Sequence, residues 1–303
     1  MGPWVCRELA RRGARVVVLD LLREPRLALP GAGPDAVIVG DIRDVDLVRR
    51  TLAEHAIDRV VHLAALVGGP CEADPVLAFE TNVLATEHLI RASEAAGVRR
   101  LTANSTKGVL GPVPARHLHP VYDPVPVDHP PSPRQIYEVT KLAVERLVVA
   151  ARARGLSATA LRLSTTWGPG KTAETHAGLS FHSDLVAAAR RGGDLQVDVH
   201  PDQAFDLVYY ADVGAGIAAA CLADGPLSSP VYHLGSGRLT RMADFAAALE
   251  IAFPGCRIAM GDRFPPARNV LLDIGPARAD LGYRPAWDVP AALADMSRLA
   301  PGP

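Results

Sequence analysis

Arg15-Val16-Val17-Val18-Leu19-Asp20 is an apolar run rich in β-branched valine and closed by an acid, which reads as a buried strand. Residues 4–12 carry apolar positions at helical spacing, and Gly13 ends them, so a helix precedes the strand. The alternation then repeats. Strands are expected over 36–39, 59–64, 99–103 and 158–163, and helices over 45–55, 75–96 and 136–154, with a proline-rich loop over 111–133. Apolar strands alternating with helices require right-handed crossovers and a parallel sheet covered on both faces. The expected fold class is therefore α/β, a doubly wound parallel sheet. Beyond Thr165 the alternation loosens, with helices expected near 183–191, 213–223 and 242–253 and short strands over 207–210 and 231–234. We expect a first domain over 1–164 with returns near 203–235, and a smaller interleaved C-terminal domain from 165–202 and 236–303. A loop as long as 111–133 reads as functional rather than as a mere connector.

The chain has 303 residues, 49% of them hydrophobic and 21% charged, the composition of a folded protein rather than a disordered one. Lys plus Arg is 32 against 33 for Asp plus Glu, a formal net charge of -1. That balance offers no basic footprint for nucleic acid and no polybasic patch for an anionic membrane, so a small-molecule site is the better expectation. The four cysteines Cys6, Cys71, Cys221 and Cys256 are scattered without a C-x-x-C pair, which suggests neither a disulfide framework nor a zinc ribbon and fits a reducing cytoplasm. Residues 1–6 meet Arg7 and Glu8 before an apolar run forms, unlike a signal peptide. No apolar stretch reaches the roughly 20 residues that span a bilayer.

Tyr137-Glu138-Val139-Thr140-Lys141 places a phenol and an ammonium at i and i+4, one above the other on a helix. Lys107, Lys141 and Lys171 are the only lysines in a chain that otherwise uses arginine, so a generic surface charge is a poor explanation for Lys141. A neighbouring cation favours phenolate, so Tyr137 is expected to have a lowered pKa and to act as general base on a hydroxyl. Upstream, Asn104-Ser105-Thr106-Lys107-Gly108-Val109-Leu110-Gly111 follows the strand ending near Ala103, and ligands of open α/β sheets bind at the carboxyl ends of strands. Two other motifs fail. Gly168-Pro169-Gly170-Lys171-Thr172 resembles the tail of a phosphate loop, but the first glycine of that motif would have to stand at Thr165. His117 and His119 lack an obvious third ligand nearby in sequence, so no metal is expected.

These segments together resemble the extended short-chain dehydrogenase/reductases, specifically the NAD-dependent epimerase/dehydratase family, over nearly the whole length. Gly40-Asp41-Ile42-Arg43-Asp44 is similar to the family's adenine-contacting segment, and Val61-His62-Leu63-Ala64-Ala65 to its cofactor-floor strand end. Thr81-Asn82-Val83 with Thr86 resembles T-N-V-x-G-T, and Ser105-Thr106 through Val109-Leu110-Gly111 resembles S-[ST]-x-x-V-Y-G. Arg162 through Trp167-Gly168-Pro169-Gly170 resembles R-x-x-N-V-Y-G-P-G, and Gly235-Ser236-Gly237 and Leu281-Gly282-Tyr283-Arg284-Pro285 match later signposts.

The resemblance implies a Rossmann-like dinucleotide-binding domain, a smaller substrate-binding domain and NAD as cofactor. It implies Thr106, Tyr137 and Lys141 as catalytic residues. Gly2, Asp20, Asp41, Ile42, Leu63, Ala64, Ala65 and Asn82, with Tyr137 and Lys141, would hold the cofactor. Ser105, Thr106, Lys107, Thr165, Phe205 and Arg263 would meet the substrate. Tyr137 would take a proton from a sugar hydroxyl, Thr106 would hold that oxygen, and Lys141 would anchor the nicotinamide ribose while hydride passes to NAD, leaving a transient ketone. An epimerase or a dehydrogenase results. A dehydratase is disfavoured, because relatives with that activity carry Asp-Glu where this chain has Lys107-Gly108. Alternatives are a nucleotide-sugar 4-epimerase and, from another class, a non-catalytic dinucleotide-binding protein on the same scaffold. Pairing through helices 75–96 and 136–154 predicts a homodimer.

Asp20 stands 18 residues beyond Gly2 at a strand end, where a carboxylate favours NAD over NADP, with Arg23 as a possible phosphate contact. Of the family's G-x-x-G-x-x-G only Gly2 is matched, so the chain reads as an incomplete form, expected to be unstable or to bind NAD poorly. Its missing strand would lie between those at Val16 and Val60. Relatives acting on nucleotide sugars hold the diphosphate with an asparagine and an arginine at the positions of Thr165 and Phe205, and with a later arginine that Arg263 could match. A smaller sugar, sugar acid or polyol derivative is therefore the expected substrate, unless Arg190, Arg191 or Arg268 supplies the charge.

Overall fold

The computed structural model describes residues 1–23, 29, 33–171, 180–264 and 269–299; Thr172 and Arg268 lie outside them. Helix α1 (Gly2–Arg11) leads to β1 (Val17–Asp20), β2 (Ala36–Val39), α2 (Val45–Glu54) and β3 (Arg59–His62). Asp44 caps α2 by accepting from the Leu47 N–H, which satisfies one of the helix's orphan donors. The helix expected over 75–96 is broken into α4 (Pro75–Phe79), a π-helical turn at Glu80–Leu84 and α5 (Ala85–Ala95), with a short α3 (Gly69–Ala73) before it. β4 (Arg100–Thr106), α6 (Ile136–Ala153) and β5 (Ala158–Leu163) complete the first half.

The second half contains β6 (Thr165–Trp167), α7 (Phe181–Arg191), β7 (Gly193–Val197), β8 (Ala204–Phe205), β9 (Leu207–Tyr209), α8 (Tyr210–Leu222) and β10 (Val231–Leu234). It ends with β11 (Thr240–Arg241), α9 (Met242–Ala252), β12 (Cys256–Met260), α10 (Gly275–Leu281) and α11 (Val289–Leu299).

The central sheet is parallel, in the order β10-β5-β4-β3. β4 and β5 run in register from Leu101 opposite Ala158 to Thr106 opposite Leu163, and every residue of β5 is buried, as expected of a strand covered on both faces. One face packs Val48, Leu89 and Val144 of α2, α5 and α6 against Leu101 and Ala158. The other packs Val5 and Leu9 of α1 and Ile217 of α8 against Leu161 and Tyr232. Gly214 lets α1 and α8 approach closely, since a Cβ there would stand 2.9 Å from the Trp4 backbone.

β1 pairs with β2 as a separate parallel ribbon. Among the described residues no strand pairs with the edge of β3 opposite β4 or with the edge of β1 opposite β2. Val16 to Leu19 and Val60 to Leu63 instead line a cleft of about 1880 Å³. Around 165–299 the small pairs β6·β9, β7·β12 and β8·β11 surround a third apolar cluster holding Trp167, Phe205, Tyr209, Phe245 and Leu293.

Candidate functional site

The cleft continues from the β1 and β3 edges over the carboxyl ends of β3, β4 and β5, where Thr106, Lys107, Tyr137, Thr165 and Phe205 line it. Thr106 ends β4, and its Oγ1 accepts from the Gly108 N–H at 3.1 Å. That bond starts the 3₁₀ turn Lys107–Leu110 and leaves the Thr106 O–H to donate. Gly111 closes the turn at φ +62, where a Cβ would stand 1.9 Å from the Ser132 carbonyl oxygen; only glycine fits there.

Tyr137 lies in the first turn of α6, whose start is held by a capping box and by two carboxylates. Glu138 Oε2 accepts from the N–H groups of Arg134 and Gln135 at 2.8 and 3.1 Å, and Glu72 Oε1 accepts from Ile136 N–H at 2.6 Å. Such an anchored start holds the phenol in place. Lys141, one turn on, is 1% exposed and donates through Nζ to Asn104 O at 3.2 Å and Oδ1 at 3.1 Å. The ammonium lies 5.9 Å from the Tyr137 ring centroid.

The expected lowering of the tyrosine pKa is not what this arrangement produces. Burial raises the Tyr137 phenol well above its ordinary value, with Cys71 and Glu138 adding to the shift. Burial also lowers Lys141 to about 8. Desolvation decides the direction of both shifts.

Several residues expected to touch ligand are occupied elsewhere. Ser105 lines the cleft, is 1% exposed and donates to Glu145 Oε1 at 2.6 Å, so its hydroxyl also fastens β4 to α6. Asn82 does not line the cleft: its Oδ1 accepts from Leu66 N at 2.7 Å, and its Nδ2 donates to Leu66 O at 2.9 Å and Thr140 Oγ1 at 3.1 Å. It ties the segment after β3 to α6. Asp41 also lies off the cleft lining, gripped by Arg43 through Nε and Nη2 at 3.0 and 2.7 Å; that guanidinium holds its carboxyl below the usual range.

Asp20, Ile42, Leu63, Ala64, Ala65 and Gly2 do line the cleft. Asp20 is exposed at the end of β1, with one oxygen accepting from Leu22 N–H at 3.0 Å. Arg263 is mostly exposed and pairs with Asp198 at 3.3 Å.

Lys107 donates to Thr165 Oγ1 at 2.7 Å, which brings two expected substrate residues together. The sequence reading passed over Lys171, Thr166 and His182 beside them. Lys171 donates to Thr166 O at 2.7 Å and Oγ1 at 3.0 Å, and His182 stands edge-on to Phe205, ring centroids 4.6 Å apart. The scarcity of lysine was the available signal for Lys171; nothing local pointed to His182.

Among the described residues, no group of three or more His, Cys, Asp or Glu is placed to hold a metal ion, and no helix is long and apolar enough to cross a membrane. A dinucleotide fits the chemistry of the cleft. A carboxylate stands at the end of β1, an apolar floor follows at 63–65, and Tyr137 and Thr106 lie at its inner end. This is the crevice at strand carboxyl ends that open α/β sheets use.

The comparisons agree with this geometry. A UDP-glucose 4-epimerase from Halalkalibacterium halodurans is 29% identical over 248 residues, 76% of this chain and 70% of that protein. A 2-alkyl-3-oxoalkanoate reductase from Stenotrophomonas maltophilia is 32% identical over 173 residues, 56% of this chain. This second match spans only about half of that relative, 49% of its length. Among solved structures, MoeE5 in complex with UDP-glucose and NAD superposes with a TM-score of 0.77 at 28% identity, over 97% of this chain and 93% of that one. UDP-glucose 4-epimerase from Thermotoga maritima, at 23% identity and a TM-score of 0.82 over 98% and 94%, shares the fold. Residues 1–235 match the family model described as NAD dependent epimerase/dehydratase family, and the chain belongs to that NAD-dependent family.

Proposed function

We propose that the protein is an NAD-dependent epimerase or dehydrogenase that oxidises a hydroxyl of a sugar or sugar derivative to a transient ketone. The observation that carries this reading is the convergence of Thr106 and Tyr137 on one cleft, with Lys141 directly behind the phenol. NAD, when bound, supplies a hydride acceptor at its nicotinamide ring. Asp20 would accept from the adenosine ribose hydroxyls, residues 63–65 would floor the cofactor, and Gly2 would lie at the pyrophosphate. Thr106 donates its O–H to the substrate oxygen, and the Tyr137 oxygen takes that hydroxyl's proton. Lys141, held by Asn104, is the cation that favours the phenolate Tyr137 needs for this step, against the burial that raises its pKa. Positioned acid–base chemistry of this kind is worth about 10²–10⁴ in rate.

The smaller C-terminal part, 165–202 and 236–303, would hold the substrate. With Thr165 and Phe205 at the two positions discussed above, a smaller sugar, sugar acid or polyol derivative is preferred to a nucleotide sugar. The sugar-nucleotide ligands named for the neighbours make a nucleotide-sugar 4-epimerase the second reading. Val76, Phe79 and Leu84 on the 75–95 helical segment and Val149 on α6 are exposed at 70%, 41%, 52% and 41%, which supports a homodimer paired through those helices. Four free cysteines fit a cytoplasmic setting.

The test is a panel of free aldoses, uronates, UDP-glucose, UDP-galactose and dTDP-glucose, with cofactor reduction followed at 340 nm and products identified by NMR so that redox-neutral epimerisation is seen. We expect turnover of a small sugar or sugar acid. Turnover of nucleotide sugars alone would replace the first reading by the second, and NAD binding with no turnover of any compound would favour a non-catalytic role.

A further inference from the structure

We propose that Thr86 and Thr140 are positioning residues for Tyr137, joined through Asn82 in one directed chain of hydrogen bonds that starts at His62 and ends on the Tyr137 carbonyl. The inference rests on the reading of Tyr137 as the general base. It concerns residues that touch no ligand, since Asn82, Thr86 and Thr140 all lie off the cleft lining.

The direction of the chain follows from the protons. A threonine hydroxyl has one proton to give. Thr140 Oγ1 donates its proton to Tyr137 O at 2.8 Å, so it accepts from Asn82 Nδ2 at 3.1 Å. Thr86 Oγ1 donates its own to Asn82 O at 2.7 Å, so the 2.8 Å contact with His62 Nε2 is one in which Thr86 accepts. The imidazole proton of His62 therefore sits on Nε2. The ring is neutral, because burial and then Lys141 lower its pKa to about 3. None of the four side chains is more than 4% exposed. In so dry a setting each bond gains strength and a group left unpaired is costly, which favours a single arrangement of the whole chain.

Asn82 is the junction. Its side chain pairs with both backbone groups of Leu66, the residue directly after the apolar floor at 63–65. One amide thus fixes the end of the cofactor floor on one side and the first turn of α6 on the other. Asn82 belongs to the π-helical turn Glu80–Leu84 that interrupts the helix expected there, an irregularity that often accompanies functional sites. From that turn its carbonyl meets Thr86 while its amide meets Leu66 and Thr140. Lys141 directly follows Thr140, so a displacement of this turn carries the ammonium along with the phenol. A shift of about 1 Å between reacting groups costs about 10²-fold in rate.

The experiment compares Thr86→Val, which keeps the shape but removes donor and acceptor together, with Thr86→Ser, which keeps both. The first readout is fluorine NMR of the full chain labelled with 3-fluorotyrosine, in which Tyr137→Phe identifies the Tyr137 resonance. We expect Thr86→Val to shift or broaden that resonance while the other tyrosine resonances stay in place, and Thr86→Ser to restore it. The second readout is turnover of the sugar substrate. There kcat should fall about 10- to 100-fold in Thr86→Val with NAD affinity by calorimetry within about twofold, and Thr86→Ser should stay within about threefold of wild type. A stabilising role alone would lower Tm and leave kcat of the folded protein unchanged. If Thr86→Val does not fold, Thr140→Val set against Thr140→Ser cuts the same chain at its other end. If neither valine variant folds, the chain is a folding element and the proposal falls. An unmoved Tyr137 resonance or a wild-type kcat in the valine variant would overturn it, as would a serine variant as impaired as the valine one. A resonance that moves and is restored, with no compound turned over, leaves the positioning chain standing and removes the catalytic reading.

Discussion

Glu145→Ala is expected to be among the most damaging single changes in the site's framework. Glu145 on α6 and Arg162 on β5 form a two-point ion pair, Nε to Oε1 at 2.8 Å and Nη2 to Oε2 at 2.9 Å, with side chains only 4% and 6% exposed. Ser105 adds a third donor to Oε1, and Arg162 Nη1 donates to Val127 O at 2.9 Å. Removing the carboxylate leaves the guanidinium with its charge uncompensated in the interior, which costs about 3–5 kcal/mol. Against a total stability of about 5–15 kcal/mol, that is a large fraction. At roughly 2 °C per kcal/mol for a chain of this size, Tm should fall by about 6–10 °C.

Urea denaturation followed by circular dichroism gives the free energy directly, provided m is unchanged. The double replacement Glu145→Leu with Arg162→Met removes both charges and should cost less than Glu145→Ala alone, since burying two apolar side chains carries no desolvation penalty. A loss under about 1 kcal/mol in the single variant, or a double variant worse than the single, would refute the account of this pair as a desolvated charge couple.

Three further outcomes are expected. Tyr137→Phe should abolish turnover while cofactor affinity by calorimetry stays nearly intact, and Lys141→Arg should also be inactive because a planar guanidinium cannot replace a compact ammonium held by Asn104; near-normal kcat in either would move the chemistry elsewhere. NAD should give a higher kcat/KM than NADP, with Asp20→Asn narrowing the difference; a wild-type preference for NADP would remove Asp20 from the ribose contact. Acid should destabilise the fold because burial holds His62, His182 and His233 neutral, each at about 3. The unfolded chain takes up these protons below about pH 6.5, so their contribution is full above that pH and is lost as pH falls towards 3. Three sites give at most about 4 kcal/mol per pH unit. Asp206 and Asp212, raised by burial, oppose this by up to about 1.4 each, and a denaturation free energy flat between pH 6.5 and 5 would contradict the assignment.

Periodicity alone carried several of the parallel strands. Those at Ala36–Val39, Ala158–Leu163 and Val231–Leu234 lie where apolar runs of four to six residues placed them, and the last two are buried along their whole length, the case in which a strand needs no partner to declare itself. The Tyr137–Lys141 spacing was equally legible, since a helix turn is a local object. What the sequence could not determine depends on distant partners. Gly193–Val197 alternates only briefly, with Leu195 and Val197 between Asp194 and Gln196, and its strand is fixed by Cys256–Met260 lying beside it in register. Asn82 looks like a ligand contact in a linear motif, yet Leu66 holds it in space and it does not line the cleft, and the bond from Ser105 to Glu145 is equally invisible along the chain. The direction of the Tyr137 pKa followed the same rule: one turn of helix puts a cation near the phenol, but burial decides the sign. The gathering of Lys107, Lys171 and His182 at one end of the cleft likewise exists only in three dimensions. Side-chain charge acts over a few ångströms of space, and no spacing along the chain records which segments will share them.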